Sequence, residues 1–271
     1  MCISRSVVKK LPIIVIIAAL IPVATIITTF TLSKTMGHLP EGTLFPQISL
    51  TGNHTPEYYV YAAGFGVTGL LMLYLGFILH IKIIRCFLDD KGVRLNIAAM
   101  IFLFAAAVGL VTQGSVHLQE DFNMFNDDSS SSMMKKTIGT YIHLAGAGVF
   151  FVSALTYTIL MDVLLRFEDM RENGFHLGWW IAKIVLTVTY IGGAFVSVFG
   201  TYANADGPKK GMIAAIGQWT AVFSFILYIA TFSGDIYNVN NERLIQGEVY
   251  GNTRESFFDD DKPLIGSYDQ D

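Results

Sequence analysis

The sequence predicts an all-α membrane protein in which six helices cross the bilayer and both termini lie in the cytosol. Of its 271 residues, 52% are hydrophobic and only 15% are charged, whereas an average soluble domain carries about 25% charged residues. The mean hydropathy is +0.50. A net charge of −4 offers no basic surface to a phosphate backbone. The composition therefore excludes an ordinary soluble domain, a disordered chain and a nucleic-acid binder.

The hydrophobic residues lie in six blocks, each long enough for a helix that crosses a hydrocarbon layer about 30 Å thick. The blocks cover residues 11–33, 57–80, 95–116, 138–164, 179–202 and 212–233. We therefore divide the chain into an N-terminal cytosolic tail (1–10), a six-helix transmembrane domain (11–234) and a disordered acidic cytosolic tail (235–271). The first block resembles a signal peptide, but its length favours a retained helix.

The positions of Lys and Arg predict the orientation of the helices. With the N-terminus in the cytosol, nine of these residues fall on the cytosolic side: Arg5, Lys9, Lys10, Lys82, Arg85, Lys91, Arg94, Arg166 and Arg171. Five fall on the opposite side: Lys34, Lys135, Lys136, Lys209 and Lys210. An even number of helices returns the C-terminus to the cytosol and places the loops 34–56 and 117–137 in the lumen.

Two ionisable residues, Asp162 and Lys183, lie inside the predicted spans, each about one turn from a cytosolic end. Such residues cost free energy in a bilayer and are candidates for function. We expect Lys183 to extend its ammonium group to the interface, and Asp162 to reach the interface or to pair with it. The absence of ionisable residues nearer the middle of the spans argues against a pump or a secondary transporter.

A lumenal polar cluster is predicted where the third helix ends and the fourth begins. His117, Glu120 and Asp121 are spaced i, i+3, i+4, and His143 lies at the same level. These residue types can bind a metal, act as acid and base on a lipid head group, or respond to lumenal pH. The simpler interpretation is an interfacial cap with His143 hydrogen-bonded between helices. We assign no catalytic or metal-binding residue and expect no cofactor.

Two residues are candidates for modification. Asn53-His54-Thr55 is a glycosylation sequon in the predicted lumenal loop, which makes Asn53 a candidate acceptor. Cys86 follows Arg85 at the cytosolic end of the second span and is a candidate for palmitoylation.

The loop after the first span carries a longer pattern, Phe45-Pro46-Gln47-Ile48-Ser49-Leu50-Thr51-Gly52 followed by Pro56-Glu57. It resembles the P-x-I-S-x-x-G…P-E segment of the DRAM/FRAG/SFK superfamily of six-helix membrane proteins. Other family positions follow in order, and the matching residues are Pro46, Ile48, Ser49, Gly52, Pro56, Glu57, Asn96, His143, Gly146, Ala147, Trp219 and Asp235. Gln218 occupies a position where many members have Glu. The resemblance spans roughly residues 10–240.

The resemblance implies three alternative roles. One branch acts in lysosomal membranes and promotes autophagy, a second works at the plasma membrane with a phosphatidylinositol 4-kinase complex, and a third remodels GPI-anchor lipid in the Golgi. The segment from Gln218 to Phe223 is most similar to the autophagy branch. The leading hypothesis is a non-enzymatic endolysosomal protein that modulates autophagy or membrane lipid organisation. The kinase scaffold and the lipid-remodelling enzyme are its alternatives.

The C-terminal tail adds a sorting signal. Asp260, followed four positions later by Leu264 and Ile265, matches an acidic dileucine motif. Clathrin adaptor proteins bind such segments in extended form, and Pro263 favours that backbone for the residue before it. We therefore expect the lipid bilayer and clathrin adaptors as partners, with lipid kinase machinery as the alternative.

Overall fold

A computed structural model of the chain describes residues 5–39, 43, 45–84, 88, 90–116, 133–166, 176–202 and 209–251. The long helices are α1 (Arg5–Thr35), α2 (Glu57–Phe77), α3 (Asp90–Ser115), α4 (Met133–Leu164), α5 (Leu177–Tyr202) and α6 (Lys209–Gly251). A short 3₁₀-helix covers Ile48–Gly52, and α2 continues as a π-helix over Ile78–Ile83.

The predicted six-helix architecture is confirmed. Within the described residues, six helices are long and apolar enough to cross a membrane: Lys10–Thr35, Glu57–Ile81, Asp90–Ser115, Ile138–Leu164, Leu177–Gly200 and Gly211–Val239. Because a helix in hydrocarbon satisfies its own backbone hydrogen bonds, runs of apolar residues of this length fold as continuous helices. Their large apolar side chains cover the outside of the bundle, as a lipid-facing surface requires.

The helices form a bundle in which each packs against the next along the chain, and α1 packs against α6. We call the end of the bundle that carries residues 36–56 the loop end, and the opposite end, where α1 begins, the terminal end. Helix α5 is the most peripheral, with 22% of its span buried against 39–44% for the others. It packs mainly on α6, and its buried Tyr190 donates a hydrogen bond to the Phe151 carbonyl oxygen of α4.

Small residues set the closest helix contacts. A Cβ atom on Gly109 of α3 would lie 2.6 Å from the Phe150 nitrogen of α4, and one on Gly146 would lie 2.8 Å from the Gln113 nitrogen. At the α5–α6 contact, a Cβ on Gly193 would lie 2.6 Å from the Ala221 nitrogen. Because these neighbours are backbone atoms, glycine is required for the helices to approach this closely.

The helical boundaries differ from the predicted ones at both ends of the chain. Helix α1 begins at Arg5, inside the predicted tail of residues 1–10. Helix α6 continues to Gly251, so the prediction that disorder begins at residue 235 is wrong for residues 235–251. Hydropathy shows only where the apolar part of a helix ends. It therefore does not detect a helix that continues into water.

Candidate functional site

An apolar cavity lies between α1, α2, α3, α4 and α6. Its lining extends from Ile48 and Gln218 at the loop end to Leu79 and Ile236 near the terminal end, which is about 27 Å along α6 at 1.5 Å per residue. The cavity volume is about 70 Å³. The polar residues in the lining are Tyr61, Thr68, Gln113, Tyr157 and Gln218. The rest of the lining is apolar.

The segment that carries the family resemblance covers the loop end of this cavity. The Ile48 backbone N–H donates to Gln218 Oε1 at 2.9 Å, and the Trp219 indole N–H donates to the Pro46 carbonyl oxygen at 2.9 Å. Ile48 is 3% exposed and its side chain lines the cavity. Two consecutive α6 residues therefore hold the loop in place over the bundle.

Further contacts attach the same segment to α1 and α2. The hydroxyl oxygens of Thr51 and Thr29 lie 2.9 Å apart and are buried. A Cβ on Gly52 would overlap the Tyr61 ring. The Trp219 indole packs against aromatic rings from the loop, from α1 and from α6: Phe45, Phe30 and Phe223.

Glu57, the last residue of that family pattern, begins α2 with its side chain fully buried. Its Oε1 lies 2.6 Å from His38 Nδ1, and the His38 ring stacks on His54. The carboxylate therefore joins the end of α1 to the start of α2. Pro46, Ile48, Gly52 and Glu57 of the family pattern therefore all make contacts that build the loop end.

Gln218 provides a test of how the loop is held. We expect Gln218→Leu to destabilise the protein by about 1–3 kcal/mol, because the buried Ile48 N–H loses its acceptor. Gln218→Glu keeps an oxygen acceptor at the same place and should be close to wild type. The free energy of unfolding of purified protein in a detergent titration measures both. Equal losses in the two variants would contradict the assigned hydrogen bond.

A second polar group lies inside the bundle towards the terminal end. His80, in the π-helix, places Nδ1 2.6 Å from Asn96 Oδ1, and Asn96 Nδ2 donates to the His80 carbonyl oxygen at 2.8 Å. The His80 ring meets the Tyr157 ring of α4 edge-on, with centroids 5.8 Å apart. His80 Nε2 and the Tyr157 hydroxyl are buried and have no hydrogen-bond partner in the described protein. π-Helical turns are frequent at functional sites.

The structure corrects the expectation for Lys183. Its side chain is 0% exposed rather than extended to the interface, and Nζ donates to Asp235 Oδ2 at 2.5 Å. The ammonium group also lies 4.5 Å from the centroid of the Phe232 ring. Asp235 was placed beyond the sixth span by hydropathy, and the longer helix brings it inside.

Asp162 is not hydrogen-bonded to Lys183 and has partners of its own. Its carboxylate accepts hydrogen bonds from the Thr187 hydroxyl at 2.7 Å and from the Tyr228 hydroxyl at 3.0 Å. The Trp180 indole donates to its backbone oxygen at 2.9 Å. These bonds connect α4, α5 and α6, so the polar residues near the terminal end hold the three helices together.

Of the predicted lumenal cluster, the structure describes only His143. It is 4% exposed, and its Nδ1 is buried without a hydrogen-bond partner among the residues that the structure describes. Asn53 is 8% exposed, and this burial argues against an attached glycan. The other predicted residues that lie outside the described part of the chain are Cys86, His117, Glu120, Asp121, Asp260, Leu264 and Ile265.

Three of the remaining family residues make contacts already described. Asn96 holds His80, Gly146 forms the α3–α4 crossing and Asp235 pairs with Lys183. Ala147 follows Gly146 in the sequence, Ser49 lies in the 3₁₀-helix, and Pro56 occupies the position before the first residue of α2 without a capping hydrogen bond. Sequence reasoning missed His80 and Tyr157 as a pair, because residues on two helices without a shared spacing leave no pattern in one sequence. Within the described residues, no group of metal-ligating side chains occurs.

The chain is a multi-pass integral membrane protein. It has six apolar helices, a loop packed on one end of the bundle, and buried polar contacts between the helices. The family model described as the Frag1/DRAM/Sfk1/Cwh43P N-terminal domain matches residues 10–239. The chain therefore belongs to the Frag1/DRAM/Sfk1 family, as the resemblance predicted. Neither the curated proteins nor the solved structures contain a match to the chain.

Proposed function

We propose that this chain is a non-enzymatic endolysosomal membrane protein that organises membrane lipid and thereby modulates autophagy. The observation that carries the proposal is the apolar cavity, which extends through much of the bundle and is covered at the loop end by Ile48. A lining made almost entirely of apolar side chains suits hydrocarbon better than a charged or strongly polar ligand.

The described polar residues support a structural role for most of the family pattern. Glu57 pairs with His38, Asp235 with Lys183, and Asn96 with His80, and all of these contacts are within the protein. Side chains that hold helices and loops together in this way favour a lipid-organising protein over a hydrolytic enzyme acting through the same residues.

The compartment is proposed from the tail. Asp260, Leu264 and Ile265 follow α6 in the sequence as an acidic dileucine signal, and the predicted orientation places them in the cytosol with the adaptor proteins that bind such signals. We expect Leu264→Ala with Ile265→Ala to move most of the protein from lysosomes to the plasma membrane. Fluorescence microscopy of a tagged full-length chain against lysosomal and surface markers measures the shift.

A matched control is Leu244→Ala with Ile245→Ala, which removes the same pair of side chains before the signal and should leave the distribution unchanged. Autophagic turnover of a cargo protein should fall in cells without this chain and recover with the wild type. Wild-type protein that stays at the cell surface would overturn the endolysosomal proposal and favour the plasma-membrane kinase scaffold.

A further inference from the structure

We propose that His38, His54 and Glu57 form a pH-sensitive latch, which holds the loop of residues 36–56 on the bundle more tightly in acid than at neutral pH. The latch takes up one proton on the His38 ring, and the charged ring then pairs with the buried Glu57 carboxylate. This inference goes beyond the proposed function and does not depend on it. It rests on the contacts, burial and charges at the junction where α1, the loop and α2 meet.

Glu57 is a buried acid that depends on the His38 ring. Its side chain is 0% exposed, and its Oε1 lies 2.6 Å from His38 Nδ1. Because a carboxylate can only accept, Nδ1 carries a proton and donates it to Oε1. The second oxygen, Oε2, is buried and has no hydrogen-bond partner among the described residues. A buried carboxylate with one neutral donor is costly, and a positive charge on that donor lowers the cost.

The His38 ring is placed to provide that charge. Its side chain is 28% exposed, so a proton from water reaches the ring while the loop stays on the bundle. Histidine is the side chain whose charge ordinarily changes between about pH 5 and 8. The packed loop holds the ring against the carboxylate, whereas opening of the loop separates them, so the packed loop binds the proton more tightly. By linkage, acidification favours the packed loop, and this gain is lost as the pH rises.

His54 limits the latch to one proton. Its ring stacks on the His38 ring, with centroids 4.6 Å apart and an angle of 23° between the planes. Two positively charged rings at this distance repel each other, so a second proton is opposed. The other described titratable groups near the junction are Lys34 in the last turn of α1 and Tyr58 and Tyr59 in the first turn of α2. Lysine and tyrosine ordinarily keep their charge between about pH 5 and 8. The pH response is therefore assigned to the histidines and Glu57.

Other buried atoms at the junction make the loop sensitive to a single charge. Besides Glu57 Oε2, Ser33 Oγ and Asn53 Oδ1 are buried without a hydrogen-bond partner in the described part of the chain. Each of these atoms costs free energy while the loop is packed and regains hydrogen bonds with water when the loop opens. These costs oppose the contacts that hold the loop on the bundle. A change of one charge beside Glu57 therefore shifts the balance between the packed and the open loop.

The latch is tested by hydrogen–deuterium exchange on purified full-length protein in phosphatidylcholine nanodiscs. The backbone N–H groups of His38, Tyr58 and Tyr59 donate to the carbonyl oxygens of Ser33, His54 and Pro56, and their exchange reports opening of the junction. After correction for the intrinsic pH dependence of exchange, we expect these amides to exchange about tenfold more slowly at roughly pH 5.5 than at roughly pH 7.5. Peptides from α3 should show no such change. Equal corrected rates at the two pH values would overturn the latch.

Two variants remove the latch in different ways, and a third is the matched control. Glu57→Gln keeps an oxygen acceptor but carries no charge, and His38→Gln keeps an N–H donor that does not titrate. Both should lose the pH response, and the partial exposure of His38 makes the second change mild for folding. His54→Phe keeps a stacked ring and should retain the response.

A pH response that survives in both glutamine variants would refute the assignment, and so would its disappearance in His54→Phe. Either result would leave the endolysosomal proposal standing, since localisation is measured in cells with separate variants.

Discussion

Replacing Asp235 by alanine is expected to destabilise the bundle by about 3–5 kcal/mol, because the Lys183 ammonium stays buried without its counterion. Lys183 is 0% exposed and Asp235 is 1% exposed, so neither reaches water without movement of the helices. The loss is measured as the free energy of unfolding of purified full-length protein in a detergent titration. It should be among the largest effects of any single side chain in the bundle.

The control for this prediction removes both charges together. In Lys183→Met with Asp235→Leu, two apolar side chains fill the same space, and most of the stability should return. If the double variant is as unstable as Asp235→Ala, the carboxylate has a role besides pairing with Lys183. If Asp235→Ala is fully stable, the ion pair described between α5 and α6 is wrong.

Replacing Gly193 by leucine is expected to destabilise the α5–α6 contact by about 3 kcal/mol or more. Even a Cβ atom at this position would lie 2.6 Å from the Ala221 nitrogen and 2.9 Å from the Gly217 oxygen. Both are backbone atoms, so only a separation of the helices relieves the overlap. Separation would also pull Lys183 away from Asp235. The same detergent titration measures the effect.

The adjacent residue provides a matched control. A Cβ on Gly192 has nothing within 4 Å, and Gly192 is exposed on the outer surface of α5. Gly192→Leu should therefore be neutral or stabilising, since leucine forms helices better than glycine and its side chain is favourable in a lipid environment. Equal losses at both positions would mean that any leucine perturbs α5, and the close contact would not be the cause.

Most of the fold could be predicted because hydropathy reports directly on membrane burial. The six spans and their order follow from apolar runs alone. The C-terminal end of α6 could not be placed this way, since the helix continues past the apolar span, which ends at Val239, through polar residues to Gly251. An error of a few residues at that end put Asp235 outside the bundle, and the partner of Lys183 was missed as a result.

The candidate site was predictable only in part. The family pattern identified Pro46, Ile48 and Trp219. The hydrogen bonds, however, join Pro46 to Trp219 and Ile48 to Gln218, about 170 positions apart in each case, and no local spacing encodes such contacts. The cavity, like the meeting of His80 with Tyr157, arises from the way five helices pack. Such features depend on tertiary contacts, for which a single sequence carries no periodic signal.

The length of α6 has a mechanical consequence for whatever follows it. From Val239, where the apolar span ends, to Gly251, the helix rises roughly 18 Å along its axis. The head-group layer on one face of a bilayer is only about 5–8 Å thick. Along the membrane normal, this helical extension is a stalk long enough to pass through the head groups and reach water. A soluble protein that binds the chain beyond Gly251 would therefore not contact the lipid head groups. If the stalk were two turns shorter, that protein would collide with the head groups.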